Sequence, residues 1–142
     1  MKVTPLVVLS LSTFLFACSN ESNANATETA QPITLEDIHK DWQLISLDNN
    51  DVKVMSSLNI DKQAHATGNL ACNNFFGAVE LQQNKFRIDK MGSTRKMCKP
   101  TTNNVEMAVS STLSAWSEIE IAEQKLTVTG EQHTLIYSMK KN

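Results

Sequence analysis

Three cysteines carry most of the chemical options in this chain, and the first stands apart from the other two. Cys18 ends the run Leu15-Phe16-Ala17-Cys18, behind Lys2 and an apolar stretch from Leu6 to Phe16. A thiol at that place can carry a thioether-linked diacylglycerol, and small Ala17 lets a peptidase reach the bond before it. The stretch has the length of a signal-peptide core and falls short of the ~20 apolar residues that a membrane span needs. This is the pattern of a bacterial lipoprotein signal peptide over residues 1–17. It predicts a mature chain that begins at Cys18 and carries diacylglycerol and an N-acyl chain there, with no other cofactor.

With Cys18 assigned to lipid, Cys72 and Cys98 remain as an even pair. In an oxidising compartment such a pair reads as a disulfide. A bridge closing that loop restricts the unfolded chain by roughly 3–4 kcal/mol in the chain-entropy picture. The competing reading is a reactive thiol, which needs a lowered pKa beside a base. Arg95, Lys96 and Lys99 flank Cys98, but neither a Cys-x-x-Cys spacing nor a neighbouring histidine accompanies them.

Other chemistry finds little support. His39, His65 and His133 are scattered, with no His-x₃-His pair, so no metal site is expected. Glu118, Glu120 and Glu123 are close in sequence, but alternation puts Glu118 and Glu120 on an outward strand face. No Gly-x-Ser-x-Gly, Gly-x-x-x-x-Gly-Lys or Gly-x-Gly-x-x-Gly occurs, and four glycines leave few residues for such loops. No catalytic residue and no enzymatic activity are therefore expected. A net charge of −2 with interspersed signs excludes the basic stripe of a nucleic-acid binder.

The elements that must position these residues follow from periodicity. Residues 18–33 comprise the lipidated cysteine and a tether of Asn, Ser, Ala, Thr, Glu and Gln, too polar to offset its ordering entropy. Residues 34–142 are enough for one small domain. Within it the apolar period is two: Trp42 to Leu47, Val52 to Asp61, His65 to Leu70, Phe75 to Leu81, then Phe86 with Ile88. Ile119 with Ile121, Leu126 with Val128, and Leu135 to Tyr137 continue it. About eight short strands joined by polar turns predict a mainly β fold with one helix, a small antiparallel barrel of lipocalin-like closure or a sandwich. The helix is expected after Pro100, with Asn103 as N-cap and Glu106 as its capping-box partner. Val105, Val109, Leu113 and Trp116 form its apolar stripe, which would pack across the barrel with Trp116 in the core.

Two segments carry a resemblance. Gly68-Asn69-Leu70-Ala71-Cys72-Asn73-Asn74-Phe75-Phe76-Gly77 resembles the G-x-x-G-C-N-x-(F/Y)-x-G core of the META domain, the heat-shock protein HslJ type. Met91-Gly92-Ser93-Thr94-Arg95-Lys96-Met97-Cys98 is similar to the family's second motif, (I/M)-x-x-T-x-M-x-C, with Thr94 and Cys98 in place and the final residues here reading Met97-Cys98. Ala71 stands where that pattern has glycine, so the turn there is expected to use backbone angles open to an L-residue. The resemblance implies an antiparallel barrel-like domain with one helix across it, in a stress-associated bacterial envelope lipoprotein. It implies no agreed molecular activity.

The functional expectation is a non-enzymatic envelope protein held to the membrane by its lipid. Ser19, not Asp, follows Cys18, which points to the outer membrane facing the periplasm. There it would support membrane integrity or assembly under stress through an unidentified protein or lipid partner. The alternatives are a binder of a small molecule or lipid in the barrel mouth, and a pilot- or inhibitor-like module that grips one secreted protein.

Overall fold

The computed structural model describes residues 31–140. The lipidation site expected at Cys18 and most of the tether lie outside the described residues. Short helix α1 (Leu35–Ile38) opens the domain, and the Asp37 carboxylate accepts the backbone N–H and hydroxyl of Thr34 at 2.8 and 2.7 Å. Ile38 is fully buried, and its carbonyl accepts the indole N–H of buried Trp42 at 2.9 Å. This pairing seats the indole under the barrel wall without leaving its N–H unsatisfied.

Nine strands follow: β1 (Asp41–Leu47), β2 (Asn50–Asp51), β3 (Ser57–Ile60), β4 (His65–Asn69), β5 (Asn74–Gln82) and β6 (Lys85–Ser93) precede the main helix. After α2 (Pro100–Ser114) come β7 (Ser117–Ala122), β8 (Lys125–Thr129) and β9 (Thr134–Met139). All pairings are antiparallel. Pairing of β1 with both β3 and β9 closes an eight-stranded barrel, with β2 as an additional strand on β1. Barrels of eight strands have interiors that side chains just fill. Here Trp42, Leu44, Leu58, Phe86, Ile88, Leu126, Leu135 and Tyr137 are all essentially without exposure. Phe75, Val79 and Val128 join the same core.

The alternating runs become the strands expected of them, with one exception. The segment from Val52 to Asp61 is not one strand. Between Ser46↔Asp51 and Gln43↔Ser57, three steps along β1 face six on the other side, so a three-residue bulge separates β2 from β3.

The weakest part of the wall is the β6–β7 seam, which pairs only Lys85↔Glu118 and Phe86↔Ser117. Helix α2 packs there, with Val109 and Leu113 completely buried in the barrel core. Its start differs from the sequence expectation: the N-cap is Lys99, Pro100 stands in the first turn, and Asn103 is already helical. Proline's fixed φ and missing N–H suit the first helical position, where no partner is needed. Trp116 also departs from expectation. The helix ends at Ser114, Ala115 is extended, and Trp116 is 40% exposed with Arg87 stacked 4.8 Å from its ring centre. Among the described residues no helix is long and apolar enough to cross a membrane.

Candidate functional site

The residues of the two motifs meet at one end of the barrel, where the β4–β5 loop faces the segment between β6 and α2. Cys72 and Cys98 are joined by a disulfide with their Cα atoms 6.2 Å apart. Asn73 lies between them and is only 4% exposed. Its side-chain oxygen accepts the Thr94 hydroxyl at 2.8 Å and the Lys96 backbone N–H at 2.6 Å. Its amide nitrogen donates to Glu106 Oε1 at 2.8 Å, with longer contacts to the Lys96 carbonyl and Cys98 Sγ. A buried amide must satisfy both donor and acceptor functions, and Asn73 does so by bridging three chain segments.

Glu106 supplies the third side of this brace. Its Oε2 accepts the backbone N–H groups of Cys72 at 3.2 Å and Asn73 at 2.7 Å. An ionised carboxylate on paired N–H donors makes stronger bonds than a neutral acceptor. The expected capping role of Glu106 is therefore replaced by a long-range one, across 33 residues of chain to Asn73. Thr94 completes the join, exchanging bonds with Asn74: its hydroxyl accepts that N–H at 3.1 Å and its own N–H reaches the Asn74 carbonyl at 2.9 Å.

Ala71 overturns its expectation. Its φ of 135° lies in territory that glycine occupies freely and L-residues avoid. The bridge at Cys72, the Ala71 N–H to Asn69 Oδ1 bond and the Leu70 N–H to Asn73 carbonyl bond fix the turn from both sides. Two glycines of the first motif serve space instead of dihedral freedom. A Cβ on Gly68 would collide with the Ser57 carbonyl, and one on Gly77 with Ile88 and the Asp89 carbonyl. Phe75 is core, whereas Met97 is fully exposed on the clamped loop.

The remaining candidates lie elsewhere. His65 contacts Asp61 at 3.1 Å, and His133 contacts Asp48 at 2.8 Å. Asp48 also accepts the Thr134 N–H, and these bonds, the backbone one foremost, hold its carboxyl below the usual carboxylate range. Glu118 and Glu120 face outward from β7, and Glu123 sits in the following turn. Cys72, Cys98 and Glu106 are near enough to share a cation, with ligand atoms within 4.8 Å of one another. Both sulfurs are spent in the disulfide, so that set offers no thiolate. The brace can hold two loops and a helix in fixed relation; it pairs no nucleophile with a base.

Sequence reasoning missed Glu106 as the hub's partner. A signal was present: Glu106 is the single acidic residue between Asp89 and Glu118, on the border of the apolar stripe Val105–Val109. A lone carboxylate beside a buried helix face is a candidate for an inward polar contact.

Comparison with known proteins gives a family and a fold. The META domain pattern matches residues 31–142. A protein solved by NMR superimposes with a TM-score of 0.67 at 23% identity, covering 75% of this chain and 95% of that one. An NMR structure of a protein from Burkholderia xenovorans gives 0.61 at 17% identity, covering 96% and 100%. At these identities the likeness is one of fold. No curated protein matches the sequence. The pattern spans the whole described domain, and the chain belongs to the META domain family.

Proposed function

We propose that this protein is a non-enzymatic, lipid-anchored envelope protein that supports outer-membrane integrity or assembly under stress by engaging a partner through its braced end. The observation that carries the reading is the brace itself. Asn73 and Glu106 spend a buried amide and a carboxylate on fixing loop positions, and the disulfide adds a covalent tie. Such an arrangement suits a surface that must be presented in one shape, because preorganised loops lose less entropy on binding. The Leu-Phe-Ala-Cys sequence at Cys18 and membership of the META family support the envelope setting.

The filled barrel argues for this reading over a ligand held in the barrel mouth. Phe75, Val79, Phe86, Ile88, Leu126 and Val128 occupy the space such a ligand would need. Deleting the gene and measuring uptake of bulky apolar antibiotics tests the proposal. Uptake should rise, most under heat stress, and return to normal with the intact gene but not with Cys18→Ser. Unchanged permeability with and without heat stress would overturn it.

A further inference from the structure

The loop that the brace fixes has a surface of unusual composition. Met97 is fully exposed, and Arg95, Lys96 and Lys99 around it are exposed as well. No acidic residue occurs from position 90 to 105. Glu106, the next carboxylate, is turned inward onto the Cys72 and Asn73 N–H groups. Among the described residues none of the three cations is in an ion pair. The acidic side chains Asp48 and Asp51 at this end belong to the β1–β2 hairpin, and Asp48 is engaged by His133 and Thr134.

This loop is also held still. The Lys96 backbone is gripped on both its N–H and its carbonyl by the Asn73 side chain. Cys98 is bridged, and Pro100 begins the helix immediately after. An exposed thioether is thus presented at a fixed place between three cations that have no ion-pair partner among the described residues. Along the β5–β6 hairpin this is the end away from the Gln83–Asn84 turn, where Ile33 N–H donates to Asn84 Oδ1.

We propose that the Arg95–Lys99 loop is a docking surface for an anionic lipid bilayer, with Met97 entering the interface and Arg95, Lys96 and Lys99 meeting the headgroup phosphates. Basic side chains close to an anionic leaflet are attracted within about a Debye length of it. Their aliphatic stems can follow Met97 into the interface while the charged heads stay in water. Three cations and one methionine make a weak site alone, so it acts as an orienting second contact for a chain that a lipid already holds. The inference deepens the envelope reading by naming a lipid surface as what the braced end engages, and rests on that reading for the presence of a membrane.

Vesicle cosedimentation of the mature chain, residues 18–142 with Cys18→Ser, tests it without the lipid and without the apolar Leu6–Phe16 segment. At low ionic strength it should bind equimolar phosphatidylglycerol–phosphatidylcholine vesicles at least about tenfold more strongly than pure phosphatidylcholine, and lose that binding in ~1 M salt, where the Debye length is ~3 Å. The triple variant Arg95→Gln/Lys96→Gln/Lys99→Gln should bind about tenfold less, with an unchanged melting temperature because among the described residues these side chains form no ion pair. Met97→Ser should weaken binding about threefold through the lost apolar contact. A reference triple at the other end, Lys40→Gln/Lys62→Gln/Lys140→Gln, should bind as the parent does. Equal affinity for neutral vesicles, parental binding by the loop triple, or equal loss in the reference triple would each overturn the proposal. So would the absence of binding to the anionic vesicles, an outcome that leaves the permeability phenotype of a deletion strain untouched.

Discussion

The β5–β6 hairpin and the brace at its open end share residues, yet they are held by different physics. Along the hairpin seven residue pairs run from Phe75↔Ser93 to Gln82↔Lys85, and alternate side chains enter the apolar core. A one-residue bulge between Phe76 and Ala78, with Lys90 at φ 50°, is the only interruption in its register. Such a wall is redundant, because each pair contributes a modest and replaceable share. The brace has no redundancy. One amide, one carboxylate, one hydroxyl and one disulfide tie three segments, and the loss of any member leaves buried partners unsatisfied. Wall residues should therefore fail by degrees and brace residues as a unit.

The sharpest separation of the two regions comes from breaking the covalent tie. Cys72→Ser/Cys98→Ser is expected to cost about 3–4 kcal/mol in urea unfolding. Hydrogen exchange should quicken in residues 70–73 and 94–107 while β8 and β9 stay protected. Uniformly faster exchange would merge the two regions into one. Truncating the wall where α2 enters it, Leu113→Ala, should cost a comparable ~2–5 kcal/mol through a cavity, but without selective loosening of the Arg95–Lys99 loop.

A smaller effect is expected from Glu106→Gln, which keeps the shape and removes the charge. The amide oxygen can still accept both backbone N–H groups, but its NH2 then faces the donating Asn73 side-chain nitrogen, leaving roughly 1–3 kcal/mol unrecovered. Ala71→Gly should act in the opposite direction. Relief of a disfavoured φ is expected to raise stability by about 1 kcal/mol, reduced by the greater freedom glycine gives the unfolded chain. A destabilised glycine variant would mean that the Ala71 backbone is not under strain.

The smallest effect concerns the β1–β2 turn, apart from both regions. The Asp48 carboxyl is held below its ordinary value of 3.8 by the Thr134 N–H and then by His133. A depressed folded pKa means that its stabilisation is fully present above the unfolded value and is lost as pH falls through the folded one. Asp48→Asn should accordingly lower stability near neutral pH and converge with the parent in acid, below that folded value. A gap that persists unchanged in acid would assign the effect to shape instead of charge.

The wall was readable in the sequence because alternation states which side chains point inward. Ile119 and Ile121, Leu126 and Val128 gave their strands directly, and the Gln82–Asn84 turn was marked by its polarity. The expected closed barrel is found, but alternation alone did not decide it against a sandwich, since Trp42↔Met139 and Leu47↔Leu135 join opposite ends of the chain and leave no local trace. Helix α2 was located but misaligned. Asn103 and Glu106 imitate a capping box, while proline at the true first turn and an extended Ala115 set the ends. In the brace, Cys72 and Cys98 were legible through the parity of cysteines once Cys18 was set aside. Asn73 was recognised as a motif residue, but its partners were not. Hydrogen bonds that join residues more than twenty positions apart leave no period in a sequence.

The central claim is that Asn73 and Glu106 act as one unit that fixes the braced end. A double-mutant cycle of Asn73→Ala, Glu106→Ala and their combination, measured by urea unfolding with the disulfide intact, tests it most directly. Residues in one buried network are expected to couple by roughly 1.5–3 kcal/mol, so the double variant should lose far less than the sum of the singles. Losses that add to within about 0.5 kcal/mol would contradict the account, because two independent side chains cannot be the brace.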